Sequence, residues 1–474
     1  MSQFISVFDM LKIGVGPSSS HTLGPWRAAE QWIHQLKKNQ KFYLVDTIQV
    51  DLYGSLSLTG KGHATDLAIQ LGLSGADPEY IPIGDIAEII DAIDNNELLF
   101  LNNEKNIPFY KSSITFNREF LPFHANGIKF SGFFNGEEIS NETYYSIGGG
   151  FIVQENDHLK EEIEINNKNF PFPISKAIEL EEFCEKENLG ISEIVYLNEL
   201  ELHSSEFINN EIYRIWDTML ECMYIGCHTK GKLPGGLNVK RRAFDTHQKL
   251  IKGTCYDNPK EWITAIRSTE VKFREILKWV SCFALSVNEV NAALGRVVTA
   301  PTNGSAGVIP AVLMYYMVIE NHEADFNQIK KFLLTAGEIG SIFKKNATIS
   351  AAMGGCQAEI GVSSAMAAAA LTELLGGTAA QCLSAAEIAM EHHLGLTCDP
   401  IRGLVQVPCI ERNSMGAIKA IHAAEIALET DPKESLVHLD EVIDTMWETA
   451  KDMNKNYKET SKGGLAVAVR IVNC

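Results

Sequence analysis

The sequence has no apolar stretch long enough to cross a bilayer. Its longest run without a charged residue, 297–319, begins with the turn-forming segment 300–305 and is interrupted by Pro310. The apolar remainder is therefore shorter than the roughly 20 residues that a membrane helix needs. The first residues, 1–12, include Asp9 and lack the basic stretch that precedes the apolar part of a secretory leader. We therefore expect a cytoplasmic protein.

Basic residues are also fewer than acidic ones. The 474 residues include 41 Lys and Arg against 60 Asp and Glu, which gives a formal net charge of -19. Such a surface repels polyanions, so neither a nucleic acid nor an anionic membrane is an expected partner. Hydrophobic residues make up 45% of the chain, which is typical of an ordinary globular protein. A chain of this length predicts about two or three domains.

The first part of the chain, residues 1–155, mixes helical and strand-like patterns. Ser6 is a candidate N-cap for a short helix over 7–13. Apolar residues further along alternate with polar neighbours, as they do in half-buried strands. Asn126-Gly127 and Asn135-Gly136 are typical of hairpin turns. This part therefore predicts an α+β N-terminal domain.

The second part of the chain is helical in pattern almost throughout. A polar segment rich in Glu, Asn and Lys, residues 156–173, predicts a linker. Residues 174–474 follow it, and their densest run of Ala, 363–375, ends at Gly376-Gly377, a typical helix stop. Small residues let helices approach closely, so we expect this run at the centre of a mostly α-helical catalytic domain.

The first candidate site is a loop that supplies four hydroxyls and an imidazole just ahead of a predicted helix. The free N–H groups at the start of a helix attract anions, which would suit the carboxylate of a substrate. Ser and Thr also prefer this position simply as N-caps, so both interpretations stay open. The residues are Ser18, Ser19, Ser20, His21 and Thr22.

The second candidate is the segment 60–66, GKGHATD. Its two glycines would let the backbone approach another group closely, and His63 stands where the next helix is predicted to start. The dipole of that helix disfavours the protonated imidazole, so His63 is a plausible base. A surface histidine in a turn is the alternative.

The cysteines match no common zinc-finger or ferredoxin spacing. Cys356 follows two glycines, Cys398 lies in a predicted loop, and Cys409 opens a predicted helix. Thiols at helix starts and in loops have lowered pKa values and act as metal ligands, although core packing is the commoner role of a free cysteine. Cys222 and Cys227 fall on different faces of a helix and predict no metal site.

The C-terminal residues are unusually apolar for a chain end. Residues 463–474 carry one charge, at Arg470, and finish on Cys474. An exposed apolar tail would invite aggregation. A buried tail with Cys474 pointing inward is one interpretation, and a plain terminal strand with an incidental cysteine is the other.

Together these segments resemble the iron–sulfur L-serine dehydratases in their single-chain form, along essentially the whole chain. The matching motifs are VGPSSSHT at 15–22, GKGHATD at 60–66, HANG at 124–127, SIGGGF at 146–151, LPGGL at 233–237, APTNG at 300–304 and EIAMEHHLGLTCDPIRGLVQVPCIERN at 387–413. The chain departs from the family pattern at Met353-Gly354, at Ala125 and at Arg402, which stands where a small residue is usual.

The resemblance implies a [4Fe–4S] cluster bound by Cys356, Cys398 and Cys409, with Cys474 ligating the fourth iron when substrate is absent. It implies His63 as the catalytic base, with Thr65 beside it. It also implies a substrate site lined by Ser18, Ser19, Ser20, His21 and Asn303. The implied reaction is the dehydration and deamination of L-serine to pyruvate and ammonia, with the cluster as a non-redox Lewis acid, in a homodimer.

Three alternatives stay open. A lyase that depends on PLP or on zinc could carry out the same overall reaction, and a non-catalytic iron–sulfur sensor could use the same cysteines. The N-terminal domain could also bind an amino acid only to regulate the enzyme. In that case His63 would lie far from Cys356.

Overall fold

The computed structural model describes residues 4–155 and 170–469. Its strands are β1 (Ile13–Val15), β2 (Thr47–Tyr53), β3 (Leu98–Leu101), β4 (Lys105–Pro108), β5 (Ile114–Asn117), β6 (Gly127–Phe134), β7 (Glu137–Gly148), β8 (Phe151–Gln154) and β9 (Arg296–Val298). Its first helices are α1 (Val7–Met10), α2 (Gly24–Lys38), α3 (Ser55–Thr59), α4 (Thr65–Leu73) and α5 (Asp85–Asn96).

The helices of the second part follow in close succession. They are α6 (Ala177–Glu187), α7 (Ile191–Glu199), α8 (Ser205–His228), α9 (Ala243–Ile251), α10 (Pro259–Arg267), α11 (Phe273–Asn291), α12 (Val308–Tyr315), α13 (Phe326–Asn346), α14 (Ala351–Gly354), α15 (Ile360–Leu374), α16 (Ala379–Glu391), α17 (Cys409–Leu428), α18 (Leu439–Asp452) and α19 (Leu465–Ala468). Among the described residues, no helix combines the length and apolar character needed to span a bilayer.

A mixed five-stranded sheet forms the frame of the N-terminal part. Its strand order is β5-β2-β6-β7-β8, with β2 and β5 parallel and the other neighbours antiparallel. Helix α2 covers one face because its apolar residues recur at helical spacing. Trp32 on this helix stacks on Phe130 of β6, with 5.3 Å between ring centroids. The core of this part therefore lies between helix and sheet.

The helical part is built around α15. The residues of this helix from Ile360 to Glu373 are buried, and the helix packs against α13, α16 and α17. The small Ala side chains and the missing side chain at Gly361 permit this close approach, since a Cβ at Gly361 would lie 2.8 Å from the sulfur of Met390 on α16. The helix ends as predicted, because Gly376 adopts a left-handed φ of 90°. The predicted fold class, an α+β N-terminal domain followed by a mostly α-helical one, is confirmed.

The two parts are joined at the start of the chain. Ser6 caps α1 by accepting from the N–H of Phe8, as predicted. The predicted helix over 7–13 is wrong in its second half, because Ile13–Val15 forms a strand. This strand, β1, pairs antiparallel with β9, so that Ile13 lies opposite Val298. A distant pairing partner thus overrides the local helical pattern.

The predicted hairpin turns have different outcomes. Asn135 and Gly136 both adopt positive φ, at 53° and 83°, and join β6 to β7 in a hairpin. The hairpin predicted at Asn126-Gly127 is wrong, because Gly127 is already the first residue of β6 and Asn126 donates from its side chain to the carbonyl of Ser146. Most of the predicted linker, 156–173, lies outside the described residues, which resume at residue 170.

Candidate active site

The serine-rich loop leads directly into α2. A single π-helical turn, Ser19–Leu23, precedes the helix, and Ser18 caps that turn by accepting from the N–H of His21 (3.2 Å). Ser20 Oγ lies 3.3 Å from Ser18 Oγ and 2.9 Å from His21 Nδ1. Ser18 therefore acts as the N-cap of this turn. The hydroxyl of Ser20 contacts the imidazole and is part of the same buried cluster.

His21 and His63 lie side by side in the interior. Their ring centroids are 4.5 Å apart, and both side chains are buried. Burial lowers the pKa of His21 well below its usual value, and the neighbouring His63 lowers it further. Burial also lowers the pKa of His63, to about 4. Both imidazoles are therefore neutral at pH 7.

The contacts of His63 define its tautomer. Its Nδ1 lies 3.0 Å from the carbonyl oxygen of Thr59, which can only accept, so Nδ1 carries the proton and Nε2 keeps a free lone pair. His63 does not start the next helix as predicted, because Ala64 intervenes with a left-handed φ of 54° and α4 begins at Thr65. Burial keeps this imidazole neutral, and the structure does not support the predicted helix dipole as the cause.

Two threonine hydroxyls tie the serine-rich loop to the His63 segment. Thr65 Oγ1 donates to the carbonyl of His21 (2.6 Å), and Thr22 Oγ1 donates to the carbonyl of His63 (2.7 Å). These reciprocal bonds fix the two histidines relative to each other. Thr65 thus contacts the protein backbone, which makes it a residue that positions His21.

Asn303 approaches the same region from the helical part. Its side-chain N–H donates to the carbonyl of Val15 (3.2 Å), just ahead of the serine-rich loop. Its buried Oδ1 finds no hydrogen-bond partner within the described part of the chain. Buried polar atoms are nearly always paired, so this oxygen is available for a ligand.

The three predicted cluster cysteines are brought together and buried. Cys356 follows Gly355, whose left-handed φ of 73° turns the chain back toward α15. The sulfurs of Cys356 and Cys398 and a carboxylate oxygen of Glu359 lie within 4.8 Å of one another. Cys409, the first residue of α17, lies close enough that the Cys356 thiol raises its pKa, although burial contributes more.

One arginine faces all three thiols. Arg412 Nη1 lies 3.1 Å from Cys356 Sγ and donates to the carbonyl of Thr397 (2.6 Å). Its Nη2 pairs with Asp399 at 3.0 Å. The hydrogen bond from Cys398 and the charge of Arg412 lower the pKa of Cys356. Arg412 thus stabilises a thiolate at Cys356.

Two carboxyls near these thiols were not predicted, the half-buried Glu359 and the buried Glu459. Burial raises the pKa of Glu359 to about 7, and its carboxylate accepts from Thr302 Oγ1 (2.7 Å). Burial raises the pKa of Glu459 well above its usual value, and the nearby Glu359 and Cys356 raise it further. Glu459 lies in the polar stretch 455–462, where nothing in the sequence indicates burial.

Glu459 connects the histidine cluster to the thiol cluster. Its Oε1 lies 3.5 Å from His63 Nε2 and 3.6 Å from His21 Nδ1. Its backbone N–H donates to the carbonyl of Cys398 (2.9 Å). His63 is therefore close to the thiols, and the structure argues against an N-terminal domain that serves only as a remote regulatory module.

A backbone contact also joins the two parts at this site. A Cβ added at Gly62 would lie 2.6 Å from the carbonyl oxygen of Gly403, so only glycine fits there. The adjacent Arg402 adopts a left-handed φ of 55°, a conformation that glycine tolerates best. This backbone explains why a small residue would suit that position. Cys474 lies outside the described residues.

Comparison with known proteins matches both parts of the chain. The model of the serine dehydratase beta chain matches residues 6–157, and that of the serine dehydratase alpha chain matches residues 186–466. The chain is 47% identical to an L-serine dehydratase of Haemophilus influenzae, over 98% of this chain and 99% of the relative. It is 45% identical to L-serine dehydratase 1 of Escherichia coli, over 98% of this chain and 99% of the relative. It is 43% identical to an L-serine dehydratase of Streptomyces coelicolor, over 99% of this chain and 100% of the relative.

Proposed function

Because this chain belongs to the serine dehydratase family, we propose that it is an L-serine ammonia-lyase that converts L-serine to pyruvate and ammonia. The observation that carries the proposal is the approach of a neutral histidine, His63, to three buried thiols through one intervening carboxyl. The named relatives support the same substrate.

We propose that Cys356, Cys398 and Cys409 hold a [4Fe–4S] cluster. The donor set suits such a group, because iron–sulfur clusters are bound by cysteine thiolates. The charge balance also suits it. The thiols of Cys356, Cys398 and Cys409 are buried and face Arg412, and the carboxyl of Glu459 is buried as well. The hydrogen bond with Cys356, followed by burial, raises the pKa of Cys398, and burial raises the pKa values of Cys409 and Glu459, so one arginine does not offset the charges that this group would carry when ionised. A cationic iron group would supply the missing positive charge.

When bound, the cluster would supply a Lewis-acidic iron that polarises the hydroxyl of the substrate. The remaining chemistry falls to the protein. His63 removes the α-proton at Nε2, the ring nitrogen that holds a free lone pair, while the carbonyl of Thr59 fixes the ring through Nδ1. A positioned base of this kind contributes roughly 10²–10⁴-fold to the rate.

The substrate carboxylate is recognised by groups around the serine-rich loop. We assign this role to the hydroxyls of Ser18, Ser19 and Ser20, to His21 and to Asn303. These side chains are buried, Ser20 contacts His21, and His21 lies beside His63, so we assign them to exclude water and hold the α-carbon at the base. In this scheme Thr65 positions His21 by donating a hydrogen bond to the backbone carbonyl of His21.

The overall reaction balances without electron transfer. The α-carbon loses a proton to His63, and the bond from the β-carbon to the hydroxyl breaks. The proton on His63 then passes to the departing hydroxide, which leaves as water and returns His63 to its neutral form. The resulting aminoacrylate tautomerises to the imine of pyruvate, and a second water molecule hydrolyses it to pyruvate and ammonia. No external oxidant or reductant is needed.

Anaerobic purification tests both the cofactor and the reaction. We expect about four iron and four sulfide per chain, together with pyruvate formation from L-serine. Cys356→Ala should lose the iron and the activity. Cys255→Ala, which changes an exposed cysteine, should retain both and serves as the matched control.

Other results would favour the alternatives. Zinc without sulfide would indicate a zinc lyase, for which Cys356, Glu359 and Cys398 also offer ligands. A Schiff-base absorption band would indicate PLP. Iron and sulfide without pyruvate formation would indicate a sensor.

Three further predictions belong to this proposal. We infer that Cys474 ligates the fourth iron when substrate is absent, so Cys474→Ala should shorten the lifetime of the cluster in air. We also expect a homodimer, which sedimentation under anaerobic conditions would test. The predicted cytoplasmic location, without nucleic-acid or membrane partners, would be tested by cell fractionation.

A further inference from the structure

Glu459 is fixed from both sides. Its backbone adopts a left-handed φ of 55°, which is uncommon for a residue other than glycine. Its N–H donates to the carbonyl of Cys398 (2.9 Å), and its carbonyl accepts from Ser55 Oγ (2.9 Å). The histidine side and the thiol side of the site therefore both hold this residue in place.

The carboxyl of Glu459 is buried, and no lysine or arginine of the described residues pairs with it. The side chain is only 5% exposed. One oxygen, Oε1, faces His63 Nε2 and His21 Nδ1 at 3.5 and 3.6 Å. The other oxygen, Oε2, has no hydrogen-bond partner among residues 4–155 and 170–469. Apart from the two imidazoles, no side chain that could carry a positive charge lies within ion-pair distance of this carboxyl in the part of the chain that the structure describes.

We propose that Glu459 binds the α-ammonium group of the amino-acid substrate, an assignment that rests on the proposed function. The ammonium group and the α-proton are attached to the same carbon atom. The group that binds the ammonium must therefore lie next to the base, and Glu459 Oε1 lies 3.5 Å from His63 Nε2. A charged hydrogen bond between carboxylate and ammonium is among the stronger contacts that a buried site offers.

The half-buried carboxyl of Glu359 is a weaker candidate for this role. Glu359 accepts a hydrogen bond from Thr302 Oγ1 (2.7 Å), and one of its oxygens lies within 4.8 Å of the sulfurs of Cys356 and Cys398. It therefore belongs to the thiol side of the site. Glu459 has an unpaired oxygen and faces the base.

The proposal makes Glu459 the residue that distinguishes amino acids from hydroxy acids. L-glycerate is the matched probe, because it has a hydroxyl where L-serine has its ammonium group and is otherwise the same. Ionic recognition should make L-serine bind more tightly than L-glycerate. Removing the charge of Glu459 should abolish that preference while leaving the carboxylate and β-hydroxyl contacts in place.

The experiment compares Glu459→Gln with the wild type, both loaded with iron. We expect the KM for L-serine to rise by roughly 10- to 100-fold, from the loss of one hydrogen bond between charged groups. The inhibition constant of L-glycerate should change by less than about threefold. Glu459→Asp, which keeps the charge, should recover part of the preference for L-serine. Glu448→Gln, an exposed change on α18, should behave as the wild type.

The outcomes separate this inference from the proposed function. An equal weakening of both ligands in Glu459→Gln, or an unchanged KM for L-serine, would overturn the assignment of Glu459 even if the wild type makes pyruvate. If Glu459→Gln loses its iron, Glu459→Asp decides the matter, because a charged variant that binds both ligands equally would also overturn it. A wild type that makes no pyruvate from L-serine would overturn the proposed function itself.

Discussion

Replacing His63 by Asn should remove the base while preserving the fold around it. The Asn side-chain amide can still donate to the carbonyl of Thr59, as Nδ1 of the imidazole does, but it offers no basic nitrogen at the position of Nε2. We expect kcat to fall by roughly 10²–10⁴-fold, the contribution of a positioned general base. Iron and sulfide content should not change.

The same residue predicts the pH dependence of the wild type. A fall in pKa from 6.5 to about 4 corresponds to a bias of about 3 kcal/mol against the protonated imidazole. A base must be unprotonated to act, so activity falls only as the pH drops toward this low pKa. Between about pH 5.5 and pH 7, kcat at saturating L-serine should therefore be nearly flat, whereas kcat/KM also depends on the ionisation of Glu459, whose pKa is raised by burial.

The assay is pyruvate formation from L-serine in short anaerobic reactions, with iron content measured at each pH. His34→Ala changes an exposed histidine of the same N-terminal part and should retain wild-type activity. An acid limb near pH 6.5 in the kcat of the wild type, measured at saturating L-serine, would refute the assignment of a buried neutral base. Activity of His63→Asn within a fewfold of the wild type would refute His63 as the base altogether.

Three further changes test other parts of the account. Arg412→Gln removes the cation 3.1 Å from Cys356 Sγ and should lower iron affinity roughly 10- to 100-fold, measured by chelator competition. Burial raises the pKa of Glu199 to about 7 in the folded protein. A carboxyl with a raised folded-state pKa destabilises the fold as the pH rises through that value. Glu199→Gln should therefore raise the melting temperature more at about pH 8 than at about pH 4.5. Gly62→Ala places a Cβ 2.6 Å from the carbonyl oxygen of Gly403 and should lower stability by about 1–3 kcal/mol, measured by urea unfolding.

Each of these has a contrary outcome. Unchanged iron affinity in Arg412→Gln would mean that the thiolate needs no cation. Equal effects of Glu199→Gln at both pH values would mean that this carboxyl does not titrate with folding. Wild-type stability of Gly62→Ala would mean that the contact between the two parts is looser than the structure indicates.

The sequence predicts the features that local chemistry encodes. Helix α15 follows from its Ala content and its Gly stop, and the cap at Ser6 follows from the preference of Ser for that position. The cysteines that the structure gathers were identified by motif, since no spacing rule links Cys356 to Cys398 and Cys409. Resemblance to a family therefore supplied what periodicity did not.

The remaining features depend on contacts between residues far apart in the chain. Strand β1 exists because Ile13 meets Val298. The low pKa of His63 follows from burial by several segments, which a helix-start argument does not capture. Glu459 lies in a polar stretch, and its burial depends on pairing with the backbone at Cys398. None of these partners can be identified from the pattern around the residue itself.

The most direct test of the central claim is the Mössbauer spectrum of enzyme enriched in the Mössbauer isotope of iron, recorded with and without L-serine. If the cysteines hold a cluster that faces His63 and acts on the substrate, one iron component of a four-iron spectrum should change when L-serine binds, without any change in overall oxidation state. A spectrum that saturating L-serine leaves unaltered in enzyme that turns over, or active enzyme without iron, would contradict the account.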